Sequence, residues 1–167
     1  NVLHSMVARH GAATAMVAAV LAFWGLLLGS MQRDWVPNDA RMLYLPTARN
    51  LLRHGRYSVM DQAPYLPTIT KMPGYSFFLA AEQAVFGDGL GPLRVVQFCL
   101  VGLTALVAAD IARRLFDART AMVTAVLVSV YPSFAVHAMA PLSEALTCLL
   151  ATAFVDALVA ARGAEPR

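Results

Sequence analysis

Residues 11–32 read GAATAMVAAVLAFWGLLLGSMQ and contain no charged side chain. An α-helix of about 20 apolar residues, rising about 1.5 Å per residue, crosses the hydrocarbon core of a bilayer, which is about 30 Å thick. The stretch is too long to be the apolar centre of a signal peptide. We therefore predict that it forms a transmembrane helix.

The composition of the whole chain also indicates a membrane protein. Of the 167 residues, 59% are hydrophobic and 14% are charged, against roughly 45–50% and about 25% in an ordinary soluble domain. The mean hydropathy is +0.60. The formal net charge of +3 is small and scattered, which argues against a nucleic-acid partner. We predict an all-α, polytopic membrane protein whose first partner is membrane lipid.

Three further stretches are predicted to be membrane spans, because their centres are apolar and uncharged. Pro132 and Pro141 bracket the turn between the last two of them. We predict a single membrane domain over residues 1–167, with four transmembrane helices at about 11–32, 93–116, 120–134 and 142–161 and a long loop over 33–92. Because the first residue is Asn1 rather than Met, we expect the chain to be processed or cut from a longer one.

The arginines predict which side of the membrane each connection faces. Short loops rich in Lys and Arg stay in the cytoplasm. The relevant arginines are Arg9 before the first span, Arg113, Arg114 and Arg119 between the second and third, and Arg162 and Arg167 after the fourth. The connection between the third and fourth spans contains no Lys or Arg. Both termini are therefore predicted to lie inside, and the loop over 33–92 outside.

Two interfacial helices are predicted within this outer loop. In the first, Asn38 or Asp39 is the expected N-cap, Gly55 is the expected C-terminal stop, and Pro46 must lie in the first turn or kink the helix. Its apolar residues recur at helical spacing, at Tyr44, Ala48, Leu51 and Leu52. The second, Gly74–Phe86, is aromatic and too short to span a bilayer, which is typical of an interfacial or re-entrant helix.

This topology brings four residues that are distant in the sequence to the outer face: Asp39, Lys71, His137 and Glu144. An ionisable group at the mouth of an apolar span, such as Glu144, indicates a functional site. Each residue also has a structural alternative. Asp39 and Glu144 could cap helices, Lys71 could be an anchor at the headgroups, and His137 could be an ordinary loop histidine.

The inner face carries charges that local structure explains. Asp110 precedes Arg113 and Arg114 by three and four residues, a spacing that predicts an ion pair on one face of a helix. Asp156 lies near the inner end of the fourth span, where partial exposure or a neighbouring helix is expected rather than a proton relay. We assign these residues no role in chemistry.

A series of short motifs runs in a fixed order from residue 39 to about residue 150. Each is weak by itself, but their order agrees with the topology derived above. The residues concerned are Asp39, Tyr44, Ala48, Asn50, Leu51, Leu52, Gly55, Tyr57 and Ser58; Lys71, Pro73, Gly74, Tyr75, Phe77, Phe78 and Leu79; Phe86 and Gly87; Arg94 and Gln97; Ala112, Arg113, Arg114, Leu115 and Phe116; Tyr131 and Pro132; and Ser143 and Glu144.

Together these motifs resemble the N-terminal part of GT-C glycosyltransferases that use polyprenyl-phosphate sugars. This group, glycosyltransferase family 39, includes protein O-mannosyltransferases and the similar aminoarabinose transferases. The resemblance implies a membrane enzyme that moves a sugar from a polyprenyl-phosphate donor to a lipid, glycan or protein acceptor. It also implies an active site on the outer face of the membrane, here expected to be the bacterial inner membrane. Such enzymes usually have more spans, so this chain by itself is expected to be inactive or incomplete.

The resemblance implies a role for each candidate residue. Asp39 stands where the family has its catalytic acid, and Glu144 would be a second acid that orients the acceptor or a divalent metal. Lys71, with Arg56, would neutralise the departing phosphate. The expected substrate-binding set is Lys71, Arg56, Tyr44 and His137. No cofactor is required with certainty, although a divalent metal is compatible with the two acids.

A rival interpretation comes from a different class of protein. A four-helix membrane subunit without enzymatic activity, or a component of a small transporter, would have the same composition. A transporter is expected to carry ionisable groups or broken helices near the bilayer midplane. In this sequence the acids cluster towards the ends of the spans. That distribution favours a site at the membrane surface.

Overall fold

A computed structural model describes residues 11–31, 35–60 and 62–163, and within these ranges it contains helices and no strand. Arg9 and Arg167, on which part of the predicted orientation rests, lie outside the described residues. The helices are α1 (Gly11–Met31), α2 (Leu45–His54), α3 (Pro73–Phe86), α4 (Leu90–Leu115), α5 (Ala118–Val130), α6 (Pro132–Ala138) and α7 (Glu144–Gly163), and a π-helical segment, Ala40–Tyr44, leads directly into α2.

Three of these helices, α1, α4 and α7, are each long and apolar enough to cross a membrane. The consecutive helices α5 and α6 pass the same test only as a pair, and their axes are bent by 54°. The protein is therefore an all-α polytopic membrane protein, as predicted. The positions of the spans in a bilayer stay a prediction.

The central element of the bundle is α4, which packs most extensively against α5 and α7. Small residues make this packing close: Val101, Ala105 and Ala109 on α4 are completely buried. A Cβ atom on Gly102 would lie 3.0 Å from the side chain of Leu21 of α1, so these two helices approach closely at the glycine and a larger residue would require Leu21 to shift. The α4 helix thus holds the other spans together.

The third predicted span, 120–134, is not one straight helix. The α5 helix ends at Val130, and Pro132 begins α6 after a break at Tyr131. Proline has no N–H to donate and its ring displaces the preceding turn, which explains a break at this position. The connection that was expected to be a simple turn between Pro132 and Pro141 therefore contains a short helix.

The segment between α1 and α4 forms a second, smaller core against the start of α4. It contains Tyr44 from the π-helical segment, Ala48 from α2, Tyr75 and Leu79 from α3, and Leu93 from α4. The predicted stop at Gly55 is confirmed, because this residue has a φ of 64° and its N–H bonds to carbonyl groups of the last turn of α2. The second predicted helix is also confirmed as α3.

Of the two predicted N-caps, Asn38 and Asp39, the second is wrong. Asp39 already has helical backbone angles, with a φ of −58° and a ψ of −42°, and its side chain caps no backbone N–H. The π-helical segment follows it and is succeeded by Pro46 in the first turn of α2. Because Pro46 cannot donate to a carbonyl in the preceding turn, a wider local winding there is physically reasonable. The carboxylate of Asp39 is left available for another partner.

Candidate functional site

The partner of Asp39 is Lys71. Its Nζ atom lies 2.8 Å from Oδ2 of Asp39, although the two residues are separated by 32 positions in the sequence. Both side chains remain accessible, with 57% of Asp39 and 34% of Lys71 exposed. The hydrogen bond to Asp39 raises the pKa of Lys71, and the negative charge of Glu144 acts in the same direction. Lys71 is therefore an ammonium ion throughout the physiological pH range.

The aromatic ring of Tyr44 packs against the ammonium group of this pair. The Nζ atom of Lys71 lies 5.7 Å from the ring centroid, within the range of a cation–π interaction. Tyr44 is buried, and its hydroxyl lies 3.5 Å from the hydroxyl of Ser143, just before α7. Tyr44 thus connects the segment between α1 and α4 to the start of α7.

The backbone around Lys71 is held from two sides. The hydroxyl of Tyr57 donates to the carbonyl oxygen of Lys71 at 2.8 Å, and the ring of Tyr57 stacks on Phe77 of α3. The buried amide of Asn50 donates to the carbonyl oxygens of Ser58 and Met60 at 2.7 and 2.8 Å. These bonds fix an irregular segment that has no secondary structure of its own, so Lys71 is positioned rather than free.

Lys71 lies at one end of a groove of about 480 Å³. Its polar part is formed by Lys71, Tyr44 and Ser143, and its apolar part includes Leu146 and Leu150 on α7. Leu150 lies almost two helical turns into a candidate span. The groove therefore joins a charged end to an apolar wall, a combination that suits an amphipathic ligand.

A second, smaller cavity of about 180 Å³ contains His137 and Glu144. Glu144 is the first residue of α7 and is exposed. The Nδ1 atom of His137 lies 2.6 Å from the carbonyl oxygen of Ser133, a contact in which Nδ1 donates and Nε2 is left for another partner. Tyr131 lines the same cavity.

The candidate residues predicted from the sequence thus lie at two adjacent cavities, except Arg56, which lies at neither. Lys71 and Tyr44 line the groove, and Asp39 adjoins it through its bond to Lys71. His137 and Glu144 share the smaller cavity, and the charge of Glu144 acts on Lys71. Arg56 is exposed and lines neither cavity. No cluster of three or more His, Cys, Asp or Glu side chains suited to a metal ion occurs among residues 11–31, 35–60 and 62–163.

Three residues near the site were not among the predicted site residues. Tyr75 lines the groove, and its hydroxyl accepts a hydrogen bond of 2.7 Å from Gln97 of α4. Arg94 donates to the carbonyl oxygens of Met139 and Trp35, both at 3.1 Å, and so ties α4 to two other segments. The sequence signal that could have identified Arg94 and Gln97 is that both are strongly polar side chains near the start of an apolar span, where a polar group without a partner is costly.

The fold and the site together define an integral membrane protein with a polar site at one end of a helical bundle. The model of the family described as dolichyl-phosphate-mannose-protein mannosyltransferase matches residues 67–165, which is more than half of the chain. The chain belongs to this family, and the resemblance found in the sequence is confirmed. It is accordingly a glycosyltransferase of the mannosyltransferase type.

The matched region includes Lys71, His137 and Glu144, while Asp39, Tyr44 and Arg56 precede it. A comparison with curated proteins gave no match. A comparison with solved structures gave none either.

Proposed function

We propose that this protein takes a sugar from a polyprenyl-phosphate donor and transfers it to a hydroxyl of a lipid, glycan or protein acceptor at the outer face of the membrane. The observation that carries the proposal is the groove at Lys71. A lipid phosphate is an anion joined to a long apolar chain, and the groove offers a cation at one end and an apolar wall at the other. The phosphate would contact Lys71, and the prenyl chain would follow Leu146 and Leu150 along α7.

Asp39 is the proposed general base. Its carboxylate would accept the proton of the acceptor hydroxyl while the hydroxyl oxygen forms a bond to the anomeric carbon. The bond from that carbon to the phosphate oxygen breaks, and the polyprenyl phosphate leaves with the electron pair. Lys71, 2.8 Å from Asp39, would stabilise the charge that develops on the leaving phosphate. A single displacement of this kind inverts the anomeric configuration.

Glu144 and His137 are the proposed contacts to the acceptor side of the reaction. They share a cavity beside the groove, and the charge of Glu144 acts on Lys71. A carboxylate and an imidazole nitrogen can orient a hydroxyl by hydrogen bonds. Arg56 has a different part in this proposal: from its exposed position it would attract the anionic headgroup to the site rather than contact the phosphate in the groove.

The proposed orientation places the site outside the cytoplasm, in a bacterial inner membrane. The argument is that Arg113 and Arg114 lie in the last turn of α4 and Arg119 in the first turn of α5, at the end of α4 away from the groove. Labelling of single cysteines tests it, in a variant without the native Cys99 and Cys148. A cysteine at position 137 should react with a reagent that cannot cross the membrane, and one at position 119 should not. Reaction of position 119 alone would reverse the orientation.

The donor is tested by binding and by transfer. The purified protein in detergent should retain radiolabelled polyprenyl-phosphate mannose, and unlabelled polyprenyl phosphate should displace it. Polyprenol, which lacks the charge, and inorganic phosphate, which lacks the chain, should each compete poorly, because each satisfies only one end of the groove. In proteoliposomes, sugar should pass from the same donor to acceptors in an added membrane extract. Absence of both binding and transfer would favour the rival interpretation of a subunit without enzymatic activity.

A further inference from the structure

Gln97 is a polar residue in an unfavourable place. It lies on α4, the most extensively packed candidate span, and none of its surface is exposed. Burying an amide group away from water costs free energy. A hydrogen bond to another buried group offsets part of this cost. The Nε2 atom of Gln97 donates to the hydroxyl of Tyr75 at 2.7 Å. Its Oε1 atom has no partner within the described part of the chain.

The bond from Gln97 fixes a residue that belongs to the groove. Tyr75 is 6% exposed, and its ring meets the ring of Tyr44 edge to face, with centroids 5.0 Å apart and planes at 87°. Edge-to-face packing depends on orientation, because the positive edge of one ring points at the negative face of the other. The position of Tyr75 therefore influences the plane of Tyr44.

The plane of Tyr44 in turn influences where the charge of Lys71 lies. The ammonium group is 5.7 Å from the centroid of the Tyr44 ring and 2.8 Å from Asp39. A cation–π contact weakens when the ring rotates or moves away. A continuous series of contacts consequently runs from a buried amide in α4, through two aromatic rings, to the charged pair at the end of the groove.

We propose that Gln97 is a positioning residue for the donor site: by bonding Tyr75 it orients Tyr44, and thereby holds the Lys71 ammonium where the donor phosphate binds. The statement about the phosphate rests on the proposed function, whereas the link between Gln97 and Lys71 does not. Gln97 itself touches neither substrate nor reacting atoms.

Two substitutions remove the bond while keeping the surrounding volume. Gln97→Met retains a side chain of similar length without the amide, and Tyr75→Phe retains the ring without the hydroxyl. Thr104→Val is the matched control, because Thr104 is also buried on α4 and also donates a hydrogen bond, to the carbonyl oxygen of Leu100, but lies outside the series of contacts. All variants are made in the complete chain and compared in the same detergent.

The first measurement follows Lys71 directly and needs no enzymatic activity. Lys71 is the only lysine in the chain, so acylation by a water-soluble ester can be followed at this position by mass spectrometry of its peptide. Each of the two variants should raise the acylation rate about threefold, because the ammonium form is less stabilised and more of the reactive free amine is present. Thr104→Val should leave the rate unchanged.

The second measurement is kinetic. Each variant should raise the KM for polyprenyl-phosphate mannose about fivefold with a smaller change in kcat, because the phosphate contact is displaced rather than removed. The double variant Gln97→Met with Tyr75→Phe should be no worse than either single variant, since both break the same bond. A general loss of stability would instead lower kcat in all variants through loss of folded protein.

The outcomes separate the two proposals. Unchanged acylation of Lys71 in both single variants, or effects that multiply in the double variant, would overturn the positioning role. If Gln97→Met does not fold, Tyr75→Phe decides by the same criteria. Faster acylation in a protein that neither binds nor transfers the donor would overturn the part concerning the phosphate and the proposed function, and leave the link from Gln97 to Lys71 supported.

Discussion

The two ends of the helical bundle each carry an ion pair, and the two pairs are built differently. At the groove, Lys71 meets Asp39 from 32 positions away. At the other end, Arg114 bonds to Asp110 one turn earlier on α4 and lies 3.3 Å from Asp156 of α7. The first pair is open to a groove, whereas the acids of the second are largely buried, with 13% of Asp110 and 22% of Asp156 exposed.

The difference shows how accessibility separates a site from a structural contact. Arg114 already has two carboxylates, and it connects the ends of α4 and α7, so no charge is left over for a ligand. Lys71 has one carboxylate, an aromatic ring and an adjoining groove, so a second anion can approach it. We expect substitutions at the first end to change chemistry and those at the second to change only packing.

The largest effect should come from Asp39→Asn. Loss of the general base should lower the transfer rate by roughly 10²-fold or more, with insertion and donor binding largely retained. Asparagine keeps the size of the side chain, and Asp39 caps no helix, so stability should change little. The rate is measured with labelled polyprenyl-phosphate sugar in reconstituted membranes. Asp110→Asn is the control, and near wild-type turnover in Asp39→Asn would remove the catalytic assignment.

Lys71→Met should have the next largest effect, weakening donor binding about tenfold because the phosphate loses a charge-assisted contact. Lys71→Arg keeps the charge and should recover part of the affinity. Arg53→Met provides a matched control, since Arg53 also pairs with an acid, Asp88 at 3.1 Å, on the exposed surface. Equilibrium binding of the labelled donor checks all three. Equal losses of donor affinity for Arg53→Met and Lys71→Met would mean that Lys71 acts only through the overall positive charge of the surface and does not contact the phosphate.

Stability at the groove end should also depend on pH through Glu82 of α3. Glu82 is 7% exposed, and neither carboxylate oxygen has a partner in the described structure. Burial raises its pKa from 4.5 to about 7. The folded protein thus favours the neutral carboxyl, and stability should fall as the pH rises from about 4.5 to 7, by up to about 3 kcal/mol.

Glu82→Gln should remove this decline, because glutamine stays neutral over the whole range. Thermal unfolding of both proteins in detergent between pH 5 and pH 8 checks the prediction. The difference in midpoint should grow with pH and then level off above about pH 7. Parallel curves for the two proteins would show that Glu82 is already ionised in the fold or has found a cation.

The smallest effect is expected at the second end. Arg114→Gln should reduce stability by about 0.5 kcal/mol, since the guanidinium is 42% exposed and partly screened by solvent. Donor binding and transfer should remain at the wild-type level. Thermal unfolding and the transfer assay are performed side by side. A loss of transfer without unfolding would contradict the division between a functional and a structural end.

Much of the fold was predictable because it depends on local patterns. Uninterrupted apolar runs predicted α1 and α4, and the glycine at position 55 predicted the end of α2. The bend at Tyr131 was missed because the apolar pattern continues across Pro132. Pro132 itself was the residue that could have indicated a break in the helix. The cap at Asp39 was wrong because helical geometry begins before the residue and its carboxylate bonds to a distant lysine.

By itself the sequence determined the class of the protein, its family resemblance and the pairing of Asp110 with Arg114, since these depend on composition, on ordered motifs and on the spacing of one helical turn. Topology could bring Asp39, Lys71 and Glu144 to one face but could not say which of them touch. Only the tertiary structure decided that Lys71 bonds to Asp39, that Glu144 lies with His137, and that Gln97 reaches Tyr75. Contacts between segments that are distant in the sequence depend on how the helices pack side by side, and the periodicity within one helix carries no information about which other helix lies next to it.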